Sequence, residues 1–166
     1  HISTVMATTF DQAGAHAKIL EVAPQGDIES FPLTGTSDWT HGYSTSKWAA
    51  EKLVYSASEK GLPTCIYRAG EIGGNSVTGY TTPGVFVHFI QEAVEMGKLP
   101  DVPTKINVTP VDFVARAIIN LGRTYMPQGR TFHTLAPSLD VNSHMIRDVL
   151  NDIGYELSLN SFQEWR

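Results

Sequence analysis

The sequence predicts an α/β fold with its ligand site along one rim of a parallel sheet, and three stretches carry that expectation. His1-Ile2-Ser3-Thr4-Val5-Met6 is an apolar run with a hydroxyl pair near its C-terminal end. Tyr43 and Lys47 open a helical pattern of small and apolar residues, at a spacing that sets two side chains one turn apart on one face. Thr64-Cys65-Ile66-Tyr67-Arg68 reads as a buried strand emptying into the turn Ala69-Gly70-Glu71-Ile72-Gly73-Gly74. A hydroxyl from one strand end, a Tyr/Lys helix and a Gly-rich turn after another strand can converge at one sheet rim, where open α/β folds bind ligands. A phenol beside an ammonium suits chemistry in which a proton follows a hydride to or from a carbonyl oxygen, because the positive neighbour favours phenolate.

The elements follow in order. The first strand is expected at about 1–5. Residues 10–40 are polar and rich in Gly, Pro and Ser, which predicts a long loop with a short helix near 12–20. The Tyr43 helix should run to about Lys60 and stop at Gly61, with Pro63 just beyond. After the strand at 64–68 and its Gly-rich loop, Phe86, Phe89, Ile90, Ala93 and Val94 recur at helical spacing, giving an amphipathic helix over about 83–96. Residues 97–104 read as a Pro-containing loop and 105–108 as a short strand. Asp112 can cap a helix through Leu121, its carboxylate accepting from first-turn amides, with substrate contact as the alternative role.

Gln128-Gly129 turns into a strand at 130–135. Asn142 or Ser143 caps a helix expected to turn Ile146, Val149, Leu150 and Ile153 inward before Gly154 ends it. A final short strand at 155–159 and a capped helix opening at Ser161 complete the chain. Arg68 at its strand end is expected to meet a phosphate or substrate, or to pair with a carboxylate such as Glu71. Trp48 and Trp165 read as packing residues, and Cys65 as a small buried hydrophobe.

Composition narrows the function classes. The 166 residues are 42% hydrophobic, enough for a core, and the net charge of −5 without any basic block argues against nucleic-acid binding. A single cysteine excludes an internal disulfide and suits a reducing, cytoplasmic compartment. No apolar stretch approaches the roughly 20 residues that span a bilayer. The histidines at 1, 16, 41, 88, 133 and 144 lack metal-ligand spacing, so no metal site is assigned. A dinucleotide fold needs a Gly-rich turn after its first strand to meet the pyrophosphate, and the Gly clusters here come late. Both ends look cut, which predicts a larger protein whose N-terminal nucleotide-binding half lies outside these residues.

The motifs Gly42-Tyr43, Ser46-Lys47-Trp48, Glu51-Lys52-Leu53, Arg68 to Ser76, Thr78-Gly79, Thr109 to Ile118 and Phe162 to Trp165 resemble those of extended short-chain dehydrogenase/reductases. More narrowly, the chain is similar to the thioester reductase domains of nonribosomal peptide and polyketide synthetases, and to aminoadipate and carboxylic acid reductase domains. Tyr-x-x-x-Lys and the Arg-x-Gly turn belong to the superfamily at large. The Ser-Lys-Trp-x-x-Glu segment, the Gly79 loop and Thr-Pro-Val-Asp mark the thioester-reductase branch. Ala69 stands where that pattern has Pro.

The resemblance implies the C-terminal half of an extended Rossmann-type parallel sheet plus a small substrate-binding lobe. Residues 1–75 would belong to the dinucleotide-binding part and 76–166 mainly to the substrate lobe, with the strand near 130–135 returning to the sheet. It also implies NADPH as reductant of an acyl or peptidyl thioester on the phosphopantetheine arm of a carrier protein, released as an aldehyde or reduced further to an alcohol. Thr4, Tyr43 and Lys47 would be catalytic, with Ser3 the rival to Thr4. Tyr43, Lys47, Ala69, Gly70 and Ile72 would bind the cofactor. The competing expectations are another extended reductase, such as a nucleotide-sugar epimerase or dehydratase, and a redox-inactive cyclase or binding scaffold.

Overall fold

A parallel strand pair and a helix anchored across it fix the geometry on which any site here depends. The computed structural model describes residues 1–4, 21–22, 39–102, 105–125, 129–136 and 140–165. The expected loop at 10–40 and its helix near 12–20 fall mostly outside these residues.

Strand β1 (Ile2–Thr4) pairs parallel with β3 (Cys65–Ala69), and β3 pairs parallel with β7 (Arg130–Thr134). Strand β2 (Glu21–Val22) closes this sheet antiparallel to β7, in the order β1-β3-β7-β2. The register aligns Ser3, Arg68 and His133 in one row, and Thr4, Ala69 and Thr134 in the next. Side chains alternate across a strand, so these two rows face opposite sides. Helix α1 (Trp39–Glu59) covers the Arg68 side, where Arg68 meets Glu51. Helix α3 (Val111–Tyr125) covers the other, where Ile118 and Leu121 pack on Cys65, Tyr67 and Phe132.

The α1 helix ends as the sequence predicts. Gly61 takes φ +90°, a left-handed conformation that costs a residue without a Cβ little, and Leu62 N–H reaches back to the Ala57 carbonyl at 3.1 Å. Tyr67 stacks on Phe132 with ring centroids 6.2 Å apart. Burial, then the Cys65 thiol on the same strand face, push the Tyr67 phenol up to about 12 from 10.0. A raised pKa favours the neutral form in the fold. Its contribution is therefore intact below about pH 10 and lost as pH climbs through 12. The denaturation midpoint is expected to fall between about pH 9 and 11.5 in wild type and to fall less in Tyr67→Phe; equal slopes would refute this.

The second sheet joins β4 (Glu71–Gly73) parallel to β6 (Ile106–Pro110), and β6 antiparallel to β8 (Asp140–Val141). Helix α3 follows β6 without a connecting residue. The buried Thr109 hydroxyl donates to Asn107 Oδ1 at 2.7 Å and accepts from Ala136 N–H at 3.0 Å, tying β6 to the segment after β7.

A separate core joins Ala93, Leu99 and Leu157 with Phe89, Val94, Ile146, Leu150 and Leu159. It lies among α2 (Val85–Met96), β5 (Lys98–Pro100), α4 (Ser143–Asp152), β9 (Ser158–Asn160) and α5 (Phe162–Trp165). Strand β5 replaces part of the loop expected at 97–104, because pairing with β9 takes up its backbone groups. Asn142 caps α4, its Oδ1 accepting from Met145 N–H at 2.9 Å. Ile146 and Leu150 face the core as expected, but Val149 and Ile153 are 61% and 67% exposed. The inward stripe is a narrow i, i+4 ridge, and its apolar neighbours turn to solvent.

Candidate active site

Tyr43, Lys47 and Glu51 recur every four residues along α1 and so occupy one stripe of the helix. The stripe runs from an exposed end to a buried one. Tyr43 is 47% exposed, whereas the Glu51 side chain is fully buried. At the buried end, Arg68 Nε donates to Glu51 Oε1 at 3.0 Å and Nη2 to Oε2 at 2.7 Å. This two-pronged pair bears out the expected carboxylate partner of Arg68, with Glu51 in place of Glu71, over a phosphate or substrate. Guanidinium and carboxylate match in plane and spacing, which lets both charges leave water together.

At the open end the Lys47 ammonium lies 5.8 Å from the centre of the Tyr43 ring. It also donates to the Ile2 carbonyl of β1 at 3.5 Å, two residues before Thr4. One nitrogen thus lies near the Tyr43 ring and bonds to the β1 backbone. Thr4 and Ser3 are both buried, and Ser3 Oγ has no hydrogen-bond partner among the described residues. Register sets Ser3 on the α1 side with Arg68, and Thr4 beside Ala69 on the other. Ala69 lies between Thr4 and Thr134 at the carboxyl ends of three parallel strands. Gly70 divides β3 from β4, where a Cβ would come 2.7 Å from Leu135 Cδ2. Ile72 lies farther along, in β4 opposite Thr109.

Beyond β4 the chain folds back on itself. Asn75 Oδ1 accepts from Val77 and Thr78 N–H at 2.9 and 3.0 Å, and Asn75 N–H donates to the Tyr80 carbonyl at 2.8 Å. Gly79 supplies the φ of +70° that this turn requires. Asp112 holds the loop from α3. Its two carboxylate oxygens accept from Ser76 N–H at 2.8 Å and Ser76 Oγ at 2.9 Å, and Arg116 adds a bond at 2.8 Å. The Ser76 amide, more than Arg116, holds the Asp112 carboxyl below its ordinary range. The expected cap of α3 is therefore a clamp on a loop 36 residues away.

Sequence reasoning placed Glu51 and Ser76 within motifs but missed the partner of each. The Tyr43-Lys47-Glu51 spacing is a readable signal for the first; nothing in the sequence announces the second. Among the described residues no group of three or more His, Cys, Asp or Glu is placed to hold a metal ion, and no helix is long and apolar enough to cross a membrane.

Known proteins are similar to this chain. L-2-aminoadipate reductase of Saccharomyces cerevisiae is 32% identical over 154 residues, covering 90% of this chain and 11% of the yeast protein. A linear gramicidin synthase of Brevibacillus parabrevis is 35% identical over 127 residues, 76% of this chain and 2% of its own length. The terminal R domain of the myxalamid PKS-NRPS pathway superimposes with a TM-score of 0.76 at 33% identity, over 99% of this chain and 39% of that domain. A UDP-N-acetylglucosamine 4-epimerase from Bacillus cereus, at 18% identity and TM-score 0.62, shares the fold alone. The chain thus spans a small part of these relatives. Residues 1–118 match the NAD-binding family described as Male sterility protein, and with its likeness to reductases across nearly all its length the chain belongs to that NAD-binding family.

Proposed function

We propose that this chain forms the proton-donating side of an active site that reduces a carrier-bound acyl or peptidyl thioester to an aldehyde, with NADPH as reductant. The observation that carries this reading is the Lys47 ammonium, which lies 5.8 Å from the Tyr43 ring centre and 3.5 Å from the Ile2 carbonyl of the strand bearing Thr4. The residues fit a nicotinamide: Lys47 retains N–H donors beyond the Ile2 contact, at the rim where β1 and β3 end.

When bound, the reduced nicotinamide supplies the hydride that reaches the thioester carbonyl carbon. Negative charge then gathers on the carbonyl oxygen. Tyr43 donates a hydrogen bond and its proton there, and Thr4 Oγ, on the face away from α1 but at the carboxyl end of β1 where such sheets meet ligands, supplies a second bond. A donor placed in this way contributes about 3 kcal/mol to the transition state. Lys47 would hold the ribose hydroxyls, and the backbone of Ala69, Gly70 and Ile72 would hold the carboxamide. The resulting hemithioacetal expels the carrier thiol to leave an aldehyde, which a second NADPH could reduce to an alcohol. In this reading residues 1–75 complete a dinucleotide-binding domain whose N-terminal half holds the pyrophosphate, and 76–166 form most of the substrate lobe.

The test supplies the whole reductase domain with a coenzyme-A or carrier-bound acyl thioester and follows NADPH absorbance. Thioester-dependent consumption with aldehyde formed is expected; a flat trace at every acyl chain tried overturns the reading. Thr4→Val should lower kcat about 100-fold or more, as loss of one placed donor does, while Ser3→Ala stays within a few-fold. The reverse order of losses transfers the donor role to Ser3.

A further inference from the structure

The loop at 74–80 combines two features that ordinarily exclude each other. Its backbone is bonded to itself through Asn75 and closely packed, since a Cβ at Gly74 would come 3.2 Å from the Gly79 carbonyl. Yet its large apolar side chains turn outward, Val77 85% and Tyr80 72% exposed, with Val85 close behind at 78%. Clustered exposed hydrophobes on an ordered segment mark a surface that something else covers. The loop leaves the carboxyl end of β4, a strand parallel to β6, and carboxyl ends are the ligand side of such sheets. It begins two residues beyond Ile72, the last residue of the turn assigned to the carboxamide.

We propose that Asp112 is a positioning residue for the substrate: by gripping both donors of Ser76 it fixes the 74–80 loop so that Val77 and Tyr80 form a wall against the apolar part of the acyl chain. The inference rests on the thioester-reductase reading and adds a specificity determinant to it. The Asp112 carboxylate accepts both Ser76 donors and the Arg116 bond at once, three bonds that the single oxygen of an amide could not all accept in this arrangement. The side-chain amide introduced by Asp112→Asn would face one Ser76 donor, or the Arg116 guanidinium, with an N–H of its own. The ion is secure at neutral pH, since the Ser76 amide keeps the carboxyl below its usual range.

A clamp that served only the fold would weaken every substrate alike. A clamp that sets an apolar wall should matter more as the acyl chain lengthens, because each added methylene meets the wall. The experiment compares acetyl- and decanoyl-coenzyme A as substrates of the whole reductase domain, with NADPH absorbance as readout. Asp112→Asn, Val77→Ser and Tyr80→Ser should each lose about tenfold more kcat/KM on decanoyl than on acetyl, through KM rather than kcat. Asp112→Glu should recover part of the Asp112→Asn loss. The two serine variants change exposed side chains, so they report even if Asp112→Asn unfolds. Equal losses on both substrates, or decanoyl KM unchanged in Val77→Ser and Tyr80→Ser, overturn the wall. Wild type that reduces neither thioester sinks the reductase reading itself.

Discussion

Glu51→Ala is expected to destabilise the fold by about 3–5 kcal/mol, because it strands the Arg68 guanidinium in an interior that water does not reach. Against a total of about 5–15 kcal/mol for a typical domain, that loss leaves little or no stable protein. Glu51→Gln should cost less, since one oxygen still accepts. The double change Glu51→Met with Arg68→Leu should recover most of the loss, because neither charge then needs a partner. Chemical denaturation of the wild type and these three variants measures all of this. A Glu51→Ala midpoint equal to that of wild type would mean that water or another group stabilises Arg68 in place of the carboxylate. The same pair sets the roll of α1, since Glu51 lies on the stripe of Tyr43 and Lys47. Any Glu51 variant that folds should therefore also turn over more slowly.

Tyr43→Phe is expected to lower kcat by about 100- to 10,000-fold, the range that a positioned general acid supplies, while NADPH affinity changes little. The ring survives this change, and with it the face that the Lys47 ammonium approaches. Only the hydroxyl is lost. Tyr43 is already half-exposed, so fold stability should stay within about 1 kcal/mol of wild type. Lys47→Ala should behave differently, weakening cofactor binding and turnover together. An undiminished kcat in Tyr43→Phe removes Tyr43 from the chemistry and leaves the site without its proton donor.

Much of the fold is readable because local rules and tertiary demands agree. The Gly61 stop, the buried run from Cys65, the Asn142 cap and the Ser161 cap, where Glu164 N–H and Ser161 Oγ meet at 3.4 Å, each obey a rule confined to a few residues. Features set by distant partners are not readable. Strand β5 exists because β9 lies alongside it, Lys98 opposite Ser158, and Lys98-Leu99-Pro100 has no period of its own. In α4, a helical period admits neighbouring stripes, and only the facing Leu99 and Leu157 select Ile146 and Leu150 over Val149 and Ile153.

The site divides the same way. Tyr43 and Lys47 stand out because their spacing is itself the mechanism of their meeting. For Arg68 the sequence offers Glu71, a near neighbour, whereas its partner lies 17 residues back on another element. Asp112 and Ser76 show no relation in the chain at all until α3 swings the carboxylate over the loop.

The tie between Lys47 and the Ile2 carbonyl has one last consequence, in valence. An ammonium has three hydrogens to give. One spent on the strand leaves two, the number that the adjacent 2′ and 3′ oxygens of a sugar can take. A nucleotide could then dock without unfastening helix from strand, and an arginine in that place, broad and flat where lysine is a point, would serve the sugar only by letting the strand go.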